Sequence, residues 1–303
     1  AGTLDANGKA MSVGGNWTRT TATFTAGGNT VTFNASDTDN TITSNGMSFV
    51  NVDFNDVSGT GRWELQDAFV TSGDFTVSRT DTTGNGVNLA GNSLSVGGNF
   101  ILGNDAFGAK VTTGAAAISA GGNWTIGTNG TFVSTGSTVT FNATDNDNTI
   151  TSNARAFDNI SFNNARGKWT LQDGLIVSGN VSLTSGELDT KSGVNNSITV
   201  AGNWTNSGGT FTAREGIVTF NGTAGGKTIT PGASSFYDLT VNSSDGNGAW
   251  TTAAGTSLNV SRDFTLTNGL LTLGNSLVVT GNVTLTAGTL DANGKAMSVG
   301  GNW

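Results

Sequence analysis

The sequence predicts an all-β chain wound as a parallel β-helix, a β-solenoid of about fourteen coils of about 20 residues. Three observations predict it: short segments alternate apolar and polar residues, Gly and Asn pairs punctuate them, and one order of parts returns at nested periods.

The alternation is plain in TVTFN (30–34), SFVNVDF (48–54), NSLSVGGNF (92–100) and SLVVTGNVTL (276–285). A period of two residues marks half-buried strands. Gly-Asn, Asn-Gly, Gly-Gly and Ser-Gly pairs between these segments read as tight turns. No stretch longer than ten residues escapes Gly, Asn or Thr, so no amphipathic helix is expected. Aromatic residues make up 8% of the chain and recur in phase with Val, Ile and Leu, so the 46 Gly do not signal disorder. The single Pro, at 231, fits strands that must keep their N–H donors.

Repeats set the architecture. Residues 1–17, AGTLDANGKAMSVGGNW, recur unchanged as 287–303, a period of 286 residues. Such identity reads as one repeat plus an overlap, a window on a tandem array with no capping segment at either end. Within it, Gly-Asn-Trp places Trp at 17, 124, 204 and 303, and Trp63, Trp169 and Trp250 follow the first three. Between them come TVTFN, TVTFN and IVTFN, then NTIT (40–43), NTIT (148–151) and KTIT (227–230). Phe49-x-x-Val52-x-Phe54 returns as Phe157-x-x-Ile160-x-Phe162 and Phe236-x-x-Leu239-x-Val241. The reading is one continuous solenoid over 1–303, with super-repeats at approximately 14–120, 121–200 and 201–300. One apolar residue per coil is taken at 17, 33, 54, 75, 100, 124, 141, 162, 181, 204, 220, 241, 264, 283 and 303. At about 4.8 Å per rung, fourteen coils would extend roughly 65–70 Å. An antiparallel sandwich would also show short strands, but it does not require one residue type to return every coil.

Stretches such as SVGGNWT, TFTAGGNTVTFN, SFYDLTVN and VVTGNVTLTAGTLDANGKAMSVGGNW resemble the repeats of very large secreted bacterial surface proteins. These are the filamentous-haemagglutinin-like and autotransporter-passenger-like adhesins and fibres. The resemblance covers essentially the whole chain and carries over no catalytic residue. It implies a right-handed parallel β-helix, export to the cell surface, and a structural role as filament, sheath, stalk or adhesin shaft.

Composition narrows the chemistry. The chain has no His and no Cys, which removes imidazole zinc sites, Ser-His and Cys-His pairs, disulfides and thiolate chemistry. Lys plus Arg is 13 and Asp plus Glu 21, a net charge of -8 with no basic patch for nucleic acid. No apolar run reaches the roughly 20 residues of a membrane span. The closest approach to a carbohydrate-cleaving pair is Asp53, Asp56, Glu64 and Asp67; Asp173 keeps one equivalent and WTTAA (250–254) keeps none. They read as surface charges, as do Arg62 and Lys168. Asp37-x-Asp39-Asn40 and Asp145-x-Asp147-Asn148 have calcium-like oxygens, but the third copy is Ala224-Gly225-Gly226-Lys227, so no general calcium requirement is expected.

The Trp residues share their phase with Phe75, Phe100, Val181, Phe264 and Val283, which reads as core rather than as a sugar platform. Thr23/Thr25, Thr30/Thr32, Thr138/Thr140, Thr265/Thr267 and Thr284/Thr286 would suit an ice-binding face, but irregular coils are expected to blur any array. The sequons at Asn16, Asn123, Asn142, Asn203, Asn221 and Asn282 fall where turns want Asn. The expectation is therefore a non-enzymatic protein with no catalytic residue, metal or cofactor. Its partners are further copies of itself, head to tail through the terminal coils, with a cell surface or extracellular polysaccharide as alternative. Successive units are either one covalent array or separate chains; if they are separate chains, removing 287–303 is expected to impair joining.

Overall fold

The computed structural model describes residues 2–104 and 106–303; Ala1, the first residue of the repeated segment, and Asp105 lie outside them. Among the described residues there are thirty-seven strands and no helix. The strands pair in parallel, each with its counterpart one coil away, and make a β-solenoid of about fourteen turns. Two compact units divide the chain: 1–143 with 148–156, and 144–147 with 157–303.

In the first unit three ladders run side by side. One climbs from Met11–Val13 through Thr30–Phe33, Asn51–Asn55, Phe75–Arg79, Phe100–Leu102 and Trp124–Ile126 to Asn148–Thr151. A second takes Trp17–Thr18, Asn40–Thr43, Trp63–Leu65, Val87–Asn88, Ala109–Thr112 and Gly130–Val133. The third takes Ser48–Phe49, Phe69–Thr71, Leu94–Val96, Ala117–Ala120 and Thr138–Phe141. From Thr30 onward alternate residues of these strands are buried, as in Thr30–Phe33, where Val31 and Phe33 point inward. Like positions therefore stack: Val31, Val52, Phe75, Phe100, Trp124 and Ile150 form one buried column. Full burial of each such side chain contributes about 1.5–3 kcal/mol, which is how a coil this short closes a core.

The second unit repeats the scheme. Leu175–Val177, Ile198–Val200, Ile217–Phe220, Asp238–Asn242, Phe264–Asn268 and Val283–Leu285 form one ladder. Beside it, Lys227–Thr230, Ala249–Thr252, Leu270–Thr272 and Thr289–Asp291 form another, and Leu258–Val260, Leu277–Val279 and Met297–Val299 a third. Pro231 is buried just past the end of Lys227–Thr230, where no ladder donor is lost.

One sequence expectation needs correction. Trp17 does not stack on Phe33; its partner is Ile42, as Trp124 pairs with Ile150 and Trp204 with Ile229. The single column read from the sequence mixed strands from different faces of one coil, since both carry large apolar residues. True rung spacings run from 19 residues (Phe264 to Val283) to 26 (Trp124 to Ile150). What does survive in each super-repeat is the pairing of Gly-Asn-Trp with the following NTIT or KTIT strand.

Candidate functional site

That pairing fixes the coil corner. Asn16 Oδ1 accepts a hydrogen bond from the Thr41 amide at 2.7 Å, Asn123 Oδ1 from Thr149 at 2.7 Å, and Asn203 Oδ1 from Thr228 at 2.7 Å. The Asn of Gly-Asn-Trp is therefore a rung in a corner ladder. In the first unit it runs on from coil to coil: Asn51 Oδ1 takes the Asp74 amide, Asp74 Oδ1 the Asn99 amide, and Asn99 Oδ1 the Asn123 amide. In the second, Asp238, Asp263, Asn282 and Asn302 are linked in the same way.

The glycines beside these Asn residues have a different cause from the one read in the sequence. Gly97, Gly98, Gly121 and Gly122 do not have positive φ. A Cβ on Gly97 would lie 2.3 Å from Ser72 O, and one on Gly121 2.5 Å from Gly97 O. The corner of the neighbouring coil leaves no room for a side chain, so close approach rather than a left-handed turn demands Gly here.

The four carboxylates considered as candidate acid and base each have hydrogen-bond partners of their own. Asp53 accepts from Ser78 Oγ at 2.8 Å. Asp56 is buried and accepts from the Ser58, Thr60 and Gly61 amides and from Ser58 Oγ. Burial alone would raise its pKa, but these hydrogen bonds outweigh it and lower the value to about 2. Glu64 accepts from Gln66 and Asn88 side chains, and Asp67 ties down Ser44 and Asn45 in the preceding coil. Asp173 takes part in contacts of its own. No group of three or more His, Cys, Asp or Glu that could hold a metal gathers among the described residues.

The Asp-Asn segments considered for calcium are corner braces. Asp37 O accepts from the Arg62 amide at 3.0 Å, and Asp145 O from the Lys168 amide at 3.2 Å. Asn40 is buried, its amide nitrogen donating to Asp37 O at 3.1 Å and Arg62 O at 3.0 Å.

Arg62 and Lys168 are not merely solvated, contrary to the sequence reading. Arg62 pairs with the buried Asp81, whose pKa is lowered to about 2: burial raises it, and bonds from Thr83, Arg62 and Gly84 outweigh that. Lys168 Nζ lies 3.0 Å from Asp189 and 3.1 Å from Glu187, and Arg214 closes on Asp189 from the next coil at 2.9 Å. Asp189 is buried, which would raise its pKa, yet Arg214 and Lys168 hold it at about 2. In the same way Arg262 spans Asp238 and Asp263, two carboxylates stacked on one column. The signal that could have found these pairs is an offset of about one coil, as from Asp189 to Arg214.

Trp63, Trp124, Trp169, Trp204 and Trp250 are fully buried, in keeping with a core role. The Thr expectation needs correction: Thr199, Thr219, Thr240, Thr265 and Thr284 stand in one unbroken, outward-facing column of the second unit. Coil length varies at the corners, so strand faces stay in register.

A cleft of about 560 Å³ lies against the first strands, lined by Leu4, Met11, Val13, Trp17 and Phe24 among others. No helix of the described residues is long and apolar enough to cross a membrane. The fold defines a class, the parallel β-solenoids. No protein-family model, curated protein or solved structure matches this chain.

Proposed function

We propose that the chain is a structural, non-enzymatic repeat segment of an extracellular shaft: a filament, sheath, stalk or adhesin stem exposed at the cell surface and joined to further copies of itself. The observation that carries this reading is where the polar groups go. Corner Asn and Asp residues bond from coil to coil, and the deeply buried Asp81 and Asp189 are paired with cations one coil away. Polar side chains thus reinforce the stacking direction. Parallel ladders resist extension along that direction, and each added coil enlarges the same core. The likeness of the repeats to filamentous-haemagglutinin-like and autotransporter-passenger-like proteins points the same way.

Electron microscopy and fibre diffraction of the native material test the reading. Filaments with a layer line near 4.8 Å along their axis are expected; isolated particles that never associate would contradict it. A second reading, a surface-binding module, is favoured by the column of five Thr residues. It predicts binding to a polysaccharide or crystalline surface that Thr240→Tyr abolishes without loss of folding.

A further inference from the structure

The repeated segment appears twice in the chain with one conformation and two different neighbours. In each copy the turn holds Asn at φ 47° and Gly at φ 70°, as Asn7-Gly8 and as Asn293-Gly294. In each, an Asp carboxylate takes the amide of that Asn: Asp5 from Asn7 at 2.8 Å and Asp291 from Asn293 at 2.9 Å. The first copy pairs with the residues that follow it: Leu4 with Phe24, Met11 with Val31, Val13 with Phe33 and Trp17 with Ile42. The last copy pairs with those that precede it: Leu290 with Leu271, Met297 with Leu277 and Val299 with Val279. One sequence thus shows both of its sides.

We infer that the open side of residues 2–17 is a docking surface for residues 266–286 of a preceding copy of the 286-residue repeat, 1–286, in the register that 287–303 displays. Leu4 then lies on Leu271, Met11 on Leu277 and Val13 on Val279, and the Asn16 amide donates to Asn282 Oδ1. The inference rests on reading the chain as a shaft segment and specifies how one segment continues into the next.

Three observations carry it. The open side of the first copy is apolar, a cleft of about 560 Å³ beneath Leu4, Met11, Val13 and Trp17. Leu271, Leu277 and Val279 are the residues that already cover the identical side chains in the last copy. Next, Gly14 and Gly15 have no steric reason to be glycine: a Cβ on Gly15 meets nothing within 4 Å, and one on Gly14 only Asn34 Oδ1 at 3.8 Å. At Gly300 and Gly301 the same Cβ would meet Thr280 O at 2.3 Å and Asn282 Oδ1 at 2.7 Å. The glycines are required where a coil lies beneath. Finally, the corner ladder Asp238, Asp263, Asn282 ends on Asn302, whose counterpart Asn16 opens the bond to Thr41. Joined through the common Asn, the two make one unbroken ladder.

This register reverses one expectation. Residues 287–303 are not an added joining device; they occupy within the chain the surface that the first coil of another copy would take. Their removal should free that surface rather than impair joining.

The test is a chain carrying two copies, 1–286 followed by 1–303. The protein has no Cys, so introduced thiols report alone. Val278→Cys in the first copy is combined with Ser12→Cys, Thr3→Cys and Thr23→Cys in the second. Register partners on adjacent parallel strands lie about 4.8 Å apart, within the Cα range of a disulfide. The expected result is complete loss of free thiol, with the 278–12 and 3–23 disulfides mapped in the same molecules. One disulfide per molecule, or none, would overturn the inference, because the shared coil would be held on one side only. In the 303-residue chain, Val278→Cys with Ser298→Cys and Thr3→Cys with Thr23→Cys must each oxidise, which separates misfolding from a wrong register. Gly15→Ala gives a second readout: silent in the first copy and destabilising in the second, whereas equal effects in both would count against the inference. Both disulfides without native filaments would sink the shaft reading alone; filaments with one disulfide per molecule would sink the register alone.

Discussion

The two units build the same kind of ladder from different materials. In the first, rings stack face to face: Phe33 on Phe54 at 5.1 Å, Phe75 on Phe100 at 5.7 Å, and Phe100 on Trp124 at 3.9 Å with planes 6° apart. One long column of the second is aliphatic over most of its length: Leu175, Ile198, Val218, Leu239, Phe264 and Val283. The second unit also carries the denser ion pairing, with Lys168, Asp189 and Arg214 in one group and Arg262 with Asp238 in another. The comparison teaches that the parallel register requires only a buried side chain of suitable volume at each rung. Ring stacking follows from the spacing where aromatic residues are supplied, and adds about 0.5–1.5 kcal/mol per pair beyond burial.

The largest break in the comparison should come from the columns themselves. Phe100→Ala removes a ring stacked on both sides and should cost about 3–5 kcal/mol, against about 2–5 for Leu239→Ala in the aliphatic column. Urea denaturation of both variants decides whether stacking contributes: a larger loss for Leu239→Ala would show that it does not. A smaller effect is expected at the corners. Gly97→Ala forces a methyl onto Ser72 O and should cost about 1–3 kcal/mol, while Gly255→Ala, with nothing within 4 Å, should be neutral or mildly stabilising.

Acid sharpens the contrast between the units. Asp56 and Asp81 in the first and Asp189 in the second have folded pKa values of about 2, below the usual carboxylate value near 3.9. A depressed folded pKa means stability that is fully present above about pH 4 and lost as pH falls from there toward 2. Each group should contribute up to about 2 kcal/mol over that window. Thermal melts from pH 5 to pH 2 should fall accordingly, and Asp189→Asn should remove its share while leaving that of the other two. A flat profile would contradict the paired-carboxylate account. The smallest difference concerns Trp. The Trp63 indole N–H is buried without a hydrogen-bond partner, whereas Trp250 donates to Gly202 O at 3.2 Å. Trp63→Phe should therefore cost about 1 kcal/mol less than Trp250→Phe.

Much of the fold was legible because a solenoid writes its period into the chain. Alternation gave the strands, one apolar residue per coil gave the coil count, and the phase shared with Phe and Val gave the core role that five of the seven Trp residues have, Trp17 being half-buried and Trp303 exposed. The column assignment was not legible, because Trp17 and Phe33 lie on different faces of one coil yet look equivalent in sequence; only the pairing of Trp17 with Ile42 tells them apart. Glycine was read as a turn former throughout, and the close approach that demands it at Gly97 depends on the neighbouring coil. Arg62 and Lys168 looked solvated because their partners, Asp81 and Asp189, lie about one coil away in sequence. The Thr column was hidden by coil lengths that vary at corners and not on faces.

The central claim, that one coil continues into the next across copies, is tested most directly by hydrogen exchange at the junction of the two-copy chain. The amides of the second copy's Thr3–Asp5 and Met11–Val13 strands should be protected as strongly as those of Asn51–Asn55, which has a neighbour on both sides. Exchange at the faster rate of the same strands in the first copy, which are paired on one side, would contradict the account.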